Sequence, residues 1–278
     1  LKAKKRHKRV YKSIDTSFDT LDKILAKMIE GVLDDTDRIN NDDSVTKKTN
    51  AINAIKFKKG VFDELLKTFS DGAKDVSDNV EKYFIRVSGK KKKDKKKIYK
   101  KYSNLQLDSK SFLKKIKKAL LAKIGTEFTR QIVNKTLTTV FDRFAMDTKA
   151  GIQNDLLKID REQSKELASK YKLNYVRYQG GRIKYSRDFC IERNGKVFHI
   201  EEMKKFGTPL DAFNGYTDKE NGVFNGKWKG AKLNVYYGGS GYDPLTDLGC
   251  YNCIHFLDYL PRSRAIKIRP ELELLYDD

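Results

Sequence analysis

Cysteine, proline, histidine and tryptophan are all scarce in this chain: three, four, three and one in 278 residues. Three cysteines cannot build a disulfide framework, and their odd number points to a reducing setting and a chain assembled inside a cell. No apolar run approaches about 18 residues and no basic, apolar and cleavage-site succession opens the chain, so neither a spanning helix nor a signal peptide is expected. Few prolines and a hydrophobic share of 38% argue against a disordered chain. With three histidines, one of them in the basic N-terminal stretch, no Ser-His-Asp arrangement can be inferred. The chain begins at Leu1, from which we expect either a fragment of a longer product or a front removed by a protease.

Positive charge is what the chain has in excess, with a formal net charge of +21. Residues 1–125 hold 34 Lys+Arg against 17 Asp+Glu, whereas residues 126–278 hold 25 against 21. Such an excess favours a polyanion through counterion release: DNA or RNA first, an anionic membrane surface second. The bland alternative is a lysine-rich surface that serves solubility alone. Candidate phosphate contacts are Lys4, Lys5, Arg6, Lys8 and Arg9 at the start, Lys90, Lys91, Lys92, Lys93, Lys95, Lys96 and Lys97 in a low-complexity loop, and Lys114, Lys115, Lys117 and Lys118.

Periodicity divides the chain into three parts: a basic arm over 1–12, a helical lysine-rich region over 13–125 and a C-terminal module over 126–278. The arm has few apolar anchors and is expected to order only against a partner. From Phe18 to Val32 apolar residues recur at helical spacing, with Ser13 or Asp15 as N-cap and Asp34, Asp35 and Asp37 at the end. A second helical tract covers Thr46–Val87, broken or bent at Gly60 and Gly72, and a third covers Asp108–Tyr171. After Leu173 short strands and turns take over. Asn174–Tyr178 alternates as a strand, Arg182–Tyr185 is its candidate partner, Asn194-Gly195 predicts a hairpin between Ile191–Arg193 and Lys196–Ile200, and Arg264–Arg269 predicts a closing strand. The expected class is α+β: a mainly helical basic N-terminal region, then a small module of helix plus antiparallel strands.

Several short pieces of the module follow one another in a recognisable order: Tyr178-Gln-Gly-Gly181, Ser186-Arg187-Asp-Phe-Cys190, Arg193-Asn-Gly195-Lys-Val-Phe198, Trp228-x-Gly230 and Tyr251-Asn252-Cys253-x-His255. Over about residues 126–261 this order resembles the minor head proteins of tailed bacteriophages, the Mu protein F-like head-morphogenesis family. There a Ser/Asp-x-Arg-x-Phe/Thr-Cys segment leads into Asn/Asp-Gly-Lys-Val-Phe, and an Asn-Cys-Arg-His type of signature closes the domain. Here Ile254 stands where the family has Arg and Cys250 where Gly is common, and residues 1–125 have no counterpart. The resemblance implies a virion protein inside the head or near the portal, assembled in the host cytoplasm, multimeric in the particle, with capsid or portal proteins as partners. Ser186, Arg187, Cys190, Gly195, Trp228, Asn252, Cys253 and His255 would be its structural motif residues.

Two chemical readings compete with packing. Cys190, Cys250, Cys253 and His255, or His199 in place of Cys190, have the composition of a structural zinc site, although Cys-x-x-Cys-x-His is not a common ligand spacing. The favoured expectation is no cofactor, with Cys190 and Cys253 as small buried apolar groups. Asp188, Glu202 and Lys204 loosely follow the Asp…Glu-x-Lys order of a metal-dependent nuclease, against which Glu201, Glu202, Lys204 and Lys205 read as a solvated helix start. The sequence is therefore expected to encode a non-enzymatic, head-associated structural protein that touches packaged double-stranded DNA without reading its sequence. A nuclease and a connector or adaptor binding protein rather than DNA are the alternatives.

Overall fold

The computed structural model describes residues 2–40, 44–89, 107–124, 128–181, 188–206, 242–249 and 253–276. The Lys90–Lys97 loop, the candidate strand Arg182–Tyr185, Ser186, Arg187, Trp228, Cys250 and Asn252 lie outside these residues. The protein is α+β: helices supply most of it, and a small antiparallel sheet belongs to the C-terminal part. In chain order the described elements are α1 (Lys2–Asn40), α2 (Val45–Ala54), α3 (Asp63–Ser88), α4 (Ser109–Leu121), α5 (Arg130–Tyr171), β1 (Tyr175–Gln179), α6 (Asp188–Arg193), β2 (Val197–His199), α7 (Ile200–Met203), β3 (Phe256–Leu260), α8 (Arg262–Ile268) and α9 (Leu272–Leu275). None of the described helices is long and apolar enough to cross a membrane.

The chain forms two compact units, each assembled from separate stretches of sequence. One unit takes Leu1–Tyr11, Ala73–Tyr102 and Asn154–Asp278; the second takes Lys12–Gly72 and Ser103–Gln153. Helices α1, α3 and α5 thus contribute residues to both.

The second unit is all-helical among its described residues. Ser44 caps α2 by accepting from Lys47 N–H, and Asp108 caps α4 by accepting from Ser111 N–H at 2.8 Å. Helix α4 shows one buried stripe, Phe112, Ile116 and Leu120, with Lys114, Lys115 and Lys118 on its exposed side. Phe112 stacks on Phe144 at 3.8 Å and meets Phe141 edge-on at 4.9 Å, which ties α4 to α5. The helical tract expected over Thr46–Val87 does break near Gly60, whose φ of 73° suits glycine, but α3 runs straight through Gly72. A Cβ at Gly72 would sit 3.3 Å from Ser13 Cβ, so close approach to α1 accounts for that glycine.

In the other unit the sheet order is β2-β1-β3, antiparallel throughout its described strands, with Val176 opposite Phe198 and Tyr259, and Tyr175 opposite His199 and Leu260. The pleat sends Val176, Tyr178, Phe198, Leu257 and Tyr259 into one cluster with Tyr83 and Phe84 of α3 and Leu167 and Tyr171 of α5. Tyr175, Val197 and Leu260 join a second cluster with Ala265 of α8 and Leu272 of α9. Because both faces are covered, β3 is buried at all five positions and shows no alternation in sequence.

Three expectations are corrected here. Residues 2–12 are not an arm awaiting a partner but the first turns of α1, so neither Ser13 nor Asp15 is a cap, and the helix continues past Asp37 to Asn40. The anchors were invisible because they are polar: the Arg6 guanidinium is buried against Asp160 (Nε to Oδ1 3.1 Å) and donates from Nη2 to Leu257 O at 3.0 Å, and His7 stacks on Phe256 at 3.9 Å. At the far end, Ile39 is buried beyond the acidic cluster. The Asn194-Gly195 turn is present, with Gly195 at φ 87°, yet it joins helix α6 to β2 rather than two strands. Asn194 N–H closes a helical turn onto Cys190 O, while Gly195 N–H donates to Tyr178 O, so β2 pairs with β1 instead of Ile191–Arg193. Finally, Arg264–Arg269 lies largely within α8 rather than in a strand; Pro261 starts that helix and only Ala265 is buried in it.

Two outcomes follow for stability. Replacing Arg6 by Ala leaves the buried Asp160 carboxylate without its ion-pair partner and should lower unfolding free energy in urea by about 3 kcal/mol, with Arg6→Met plus Asp160→Leu recovering most of it. His7 is held down from 6.5 to about 3 by burial first, then by the Arg6 and Arg161 charges, with the Ile254 carbonyl opposing. The unfolded chain therefore binds the additional proton, and stability present above pH 6.5 falls as pH drops toward 3, by up to about 1.4 kcal/mol per pH unit. His7→Phe should remove that component from urea midpoints measured against pH.

Candidate functional site

Among the described residues, motif residues separated along the sequence meet at one buried knot in the sheet-containing unit. β1 presents Tyr178, α6 presents Cys190, and the segment leading into β3 presents Cys253 and His255. Cys190 Sγ lies 3.7 Å from Cys253 Sγ, and Cys253 Sγ lies 3.6 Å from His255 Nδ1. The Tyr178 hydroxyl is 3.3 Å from Cys190 Sγ and 4.0 Å from Cys253 Sγ. Gly249 N–H donates to Cys253 Sγ at 3.2 Å. Both thiols are buried and neither is in a disulfide.

Two glycines make this approach possible. A Cβ at Gly249 would stand 2.4 Å from Cys190 Sγ and 2.9 Å from Cys253 Sγ, and one at Gly180 would stand 2.4 Å from the His255 ring. Neither has room for a side chain. From α5 the Arg161 guanidinium donates to the carbonyls of Cys253, of His255 at 2.9 Å and of Thr246 at 3.4 Å, holding the closing segment in place. Burial opposes ionisation of Cys253, yet hydrogen bonds from Cys190 and His255 together with the Arg161 charge outweigh it and hold this thiol well below its ordinary value. Burial first, and then the two sulfurs, push the Tyr178 hydroxyl far up, so it stays a neutral donor.

Of the other predicted positions, Gly195 serves the turn described above. His199 lies elsewhere: it caps α7, its Nδ1 accepting from Glu201 N–H, and stacks on Tyr276 at 3.9 Å. The carboxylate of Glu202 accepts from His199 N–H and pairs with both terminal nitrogens of Arg269 at 2.8 and 2.9 Å. Lys204 pairs with Glu201 at 2.6 Å, the one-turn pairing expected of a helix start, although Glu202 itself is held by Arg269 rather than solvated. Asp188 begins α6, and its side chain is outside the described atoms. Among the basic candidates, Lys5, Lys8, Arg9, Lys114, Lys115 and Lys118 are exposed. Lys117 is half-buried and donates to Asn53 O at 2.6 Å. Arg6 is a correction: its guanidinium is buried against Asp160, so it is a structural cation rather than an exposed phosphate contact. Sequence reasoning missed Lys82 and Arg86, exposed on α3 and bordering a small hollow with Lys5 and Arg9. It also missed Arg161, for which the only signal was an Asp-Arg pair inside a helical pattern.

Gly249→Ala should destabilise the protein by about 2 kcal/mol or more through overpacking, whereas Gly181→Ala, with open space around its Cβ, should stay within about 0.5 kcal/mol. Equal urea midpoints for the two variants would show that the knot is not tightly packed. Set against protein-family models, curated proteins and solved structures, the chain matches none of them.

Proposed function

We propose that this chain is a minor structural protein of a tailed bacteriophage head, docked on capsid or portal, whose basic surface contacts packaged DNA phosphates. The observation that carries this reading is the convergence of three of the resemblance motif residues beside Tyr178. Cys190, Cys253 and His255, up to 65 positions apart in sequence, share one buried knot, and the Asn-Gly turn between them is hydrogen-bonded to Tyr178. A signature spent on internal packing is what a virion module needs, since its task is to hold shape while surfaces outside the motif bind. Glu202, the central carboxylate of the nuclease alternative, is engaged in a cap and a bidentate ion pair, which favours the structural reading over the catalytic one.

The charge supports a DNA role by a separate route. Lys5, Arg9, Lys82 and Arg86 line one exposed region of the sheet-containing unit, and Lys110, Lys114, Lys115 and Lys118 lie along α4 in the helical unit. Mobile ammonium groups on helices neutralise phosphates without reading bases.

Mass spectrometry of intact purified particles, with cross-linking to DNA and portal, should find the chain in DNA-filled heads; its absence from particles would overturn the assignment. Binding to unrelated duplexes should weaken about 100-fold between 50 and 200 mM salt if some four phosphates are neutralised. Lys→Glu changes over 90–97 or at 114, 115 and 118 should reduce the salt slope, and an unchanged slope would remove DNA from the role.

A further inference from the structure

Packing alone leaves the chemistry of the Cys190, Cys253 and His255 cluster unexplained. A buried site that needed only small apolar groups would be served by alanine or valine, whereas here two sulfurs and an imidazole nitrogen lie within 4.8 Å of one another. We propose that Cys190 Sγ, Cys253 Sγ and His255 Nδ1 are three protein ligands of one four-coordinate zinc ion that staples α6 to the segment leading into β3.

Two of the three separations match those around the ion. With Zn–S near 2.3 Å and Zn–N near 2.0 Å, tetrahedral angles separate two sulfurs by about 3.8 Å and sulfur from nitrogen by about 3.5 Å. The corresponding separations are 3.7 Å for Cys190 to Cys253 and 3.6 Å for Cys253 to His255. A disulfide would need the sulfurs at about 2.05 Å, much closer than they are.

The surroundings suit thiolate rather than thiol. Gly249 N–H is directed at Cys253 Sγ and the Tyr178 hydroxyl lies against Cys190 Sγ, both contacts of the kind that stabilise negative sulfur. Arg161 brings a buried positive charge to the carbonyls of Cys253 and His255, offsetting the negative charge of metal-bound sulfur. Two thiolates and an imidazole form a soft to borderline donor set, which selects zinc over magnesium or calcium. As the metal enters, the thiol protons leave to solvent and the sulfurs stay reduced, so no oxidant is required. The inference stands apart from the virion assignment, since a zinc staple would serve this unit in any particle or none.

The test uses the full chain purified under reducing conditions without chelator. Elemental analysis should give about one zinc per chain. After metal removal, cobalt(II) alone should produce a sulfur-to-cobalt charge-transfer band and the strong visible absorption of a tetrahedral site. His255→Asn and Cys190→Ala should each weaken cobalt binding by more than about 10-fold. The wild-type spectrum needs no substitution and so remains informative if the variants fail to fold. Folded wild-type protein that contains no zinc and shows no sulfur-to-cobalt band, or that is isolated with a Cys190–Cys253 disulfide, would overturn the proposal.

Discussion

A guanidinium withdrawn from water must find acceptors for its hydrogens, and the position of Arg161 on α5 makes that requirement the organising constraint of the sheet-containing unit. Its side chain collects the carbonyls of Thr246, Cys253 and His255, so one residue of the long helix fixes both the turn before the knot and the segment that becomes β3. The neighbouring residue, Asp160, holds Arg6 of α1. Two adjacent residues of one helix thereby gather the chain's first turns and its closing strand onto the same unit. Removing either interaction would leave a charge buried without its partners, which costs far more than the same interaction gains at a surface.

Once β3 is held, the rest of the site is a matter of close approach. Gly180 admits the His255 ring and Gly249 admits both sulfurs, and the Asn194-Gly195 turn sends the chain from α6 into β2 so that Cys190 stays beside Tyr178. The same unit keeps several lysines and arginines on its surface while burying Arg6, Arg161 and Arg193. Exposed basic residues add to the charged surface, whereas these buried arginines are engaged with carbonyls, aromatic faces or a carboxylate. A count of positive charge does not distinguish them.

Helical periodicity was legible wherever one face meets solvent, as with Phe112, Ile116 and Leu120 of α4 under their cap Asp108. The strand at Tyr175–Gln179 was legible too, because Arg177 and Gln179 are less buried than the residues between them. Strand β3 was not: with helices on one face and α8 and α9 on the other, Phe256–Leu260 has no polar face to alternate with. The opening turns of α1 failed for the opposite reason, since their buried face carries Arg6 and His7, which read as solvent-facing until Asp160 and Phe256 are placed against them. At the candidate site, Cys190, Cys253 and His255 could be singled out by residue type, but Arg161, Gly249 and Gly180 could not, because their roles depend on what lies across the fold.

By itself the sequence determined the α+β class, the excess of positive charge, the Asn194-Gly195 turn and the presence of the thiols and imidazole, all of which depend on local propensity or on composition. Only the tertiary structure decided that the units interleave along the chain, that Arg6 is core rather than surface, and that Cys190 comes within 3.7 Å of a cysteine 63 residues away. The physical reason is that burial of charge and meeting of donors are pairwise events between distant residues, and no local pattern records which partner will arrive.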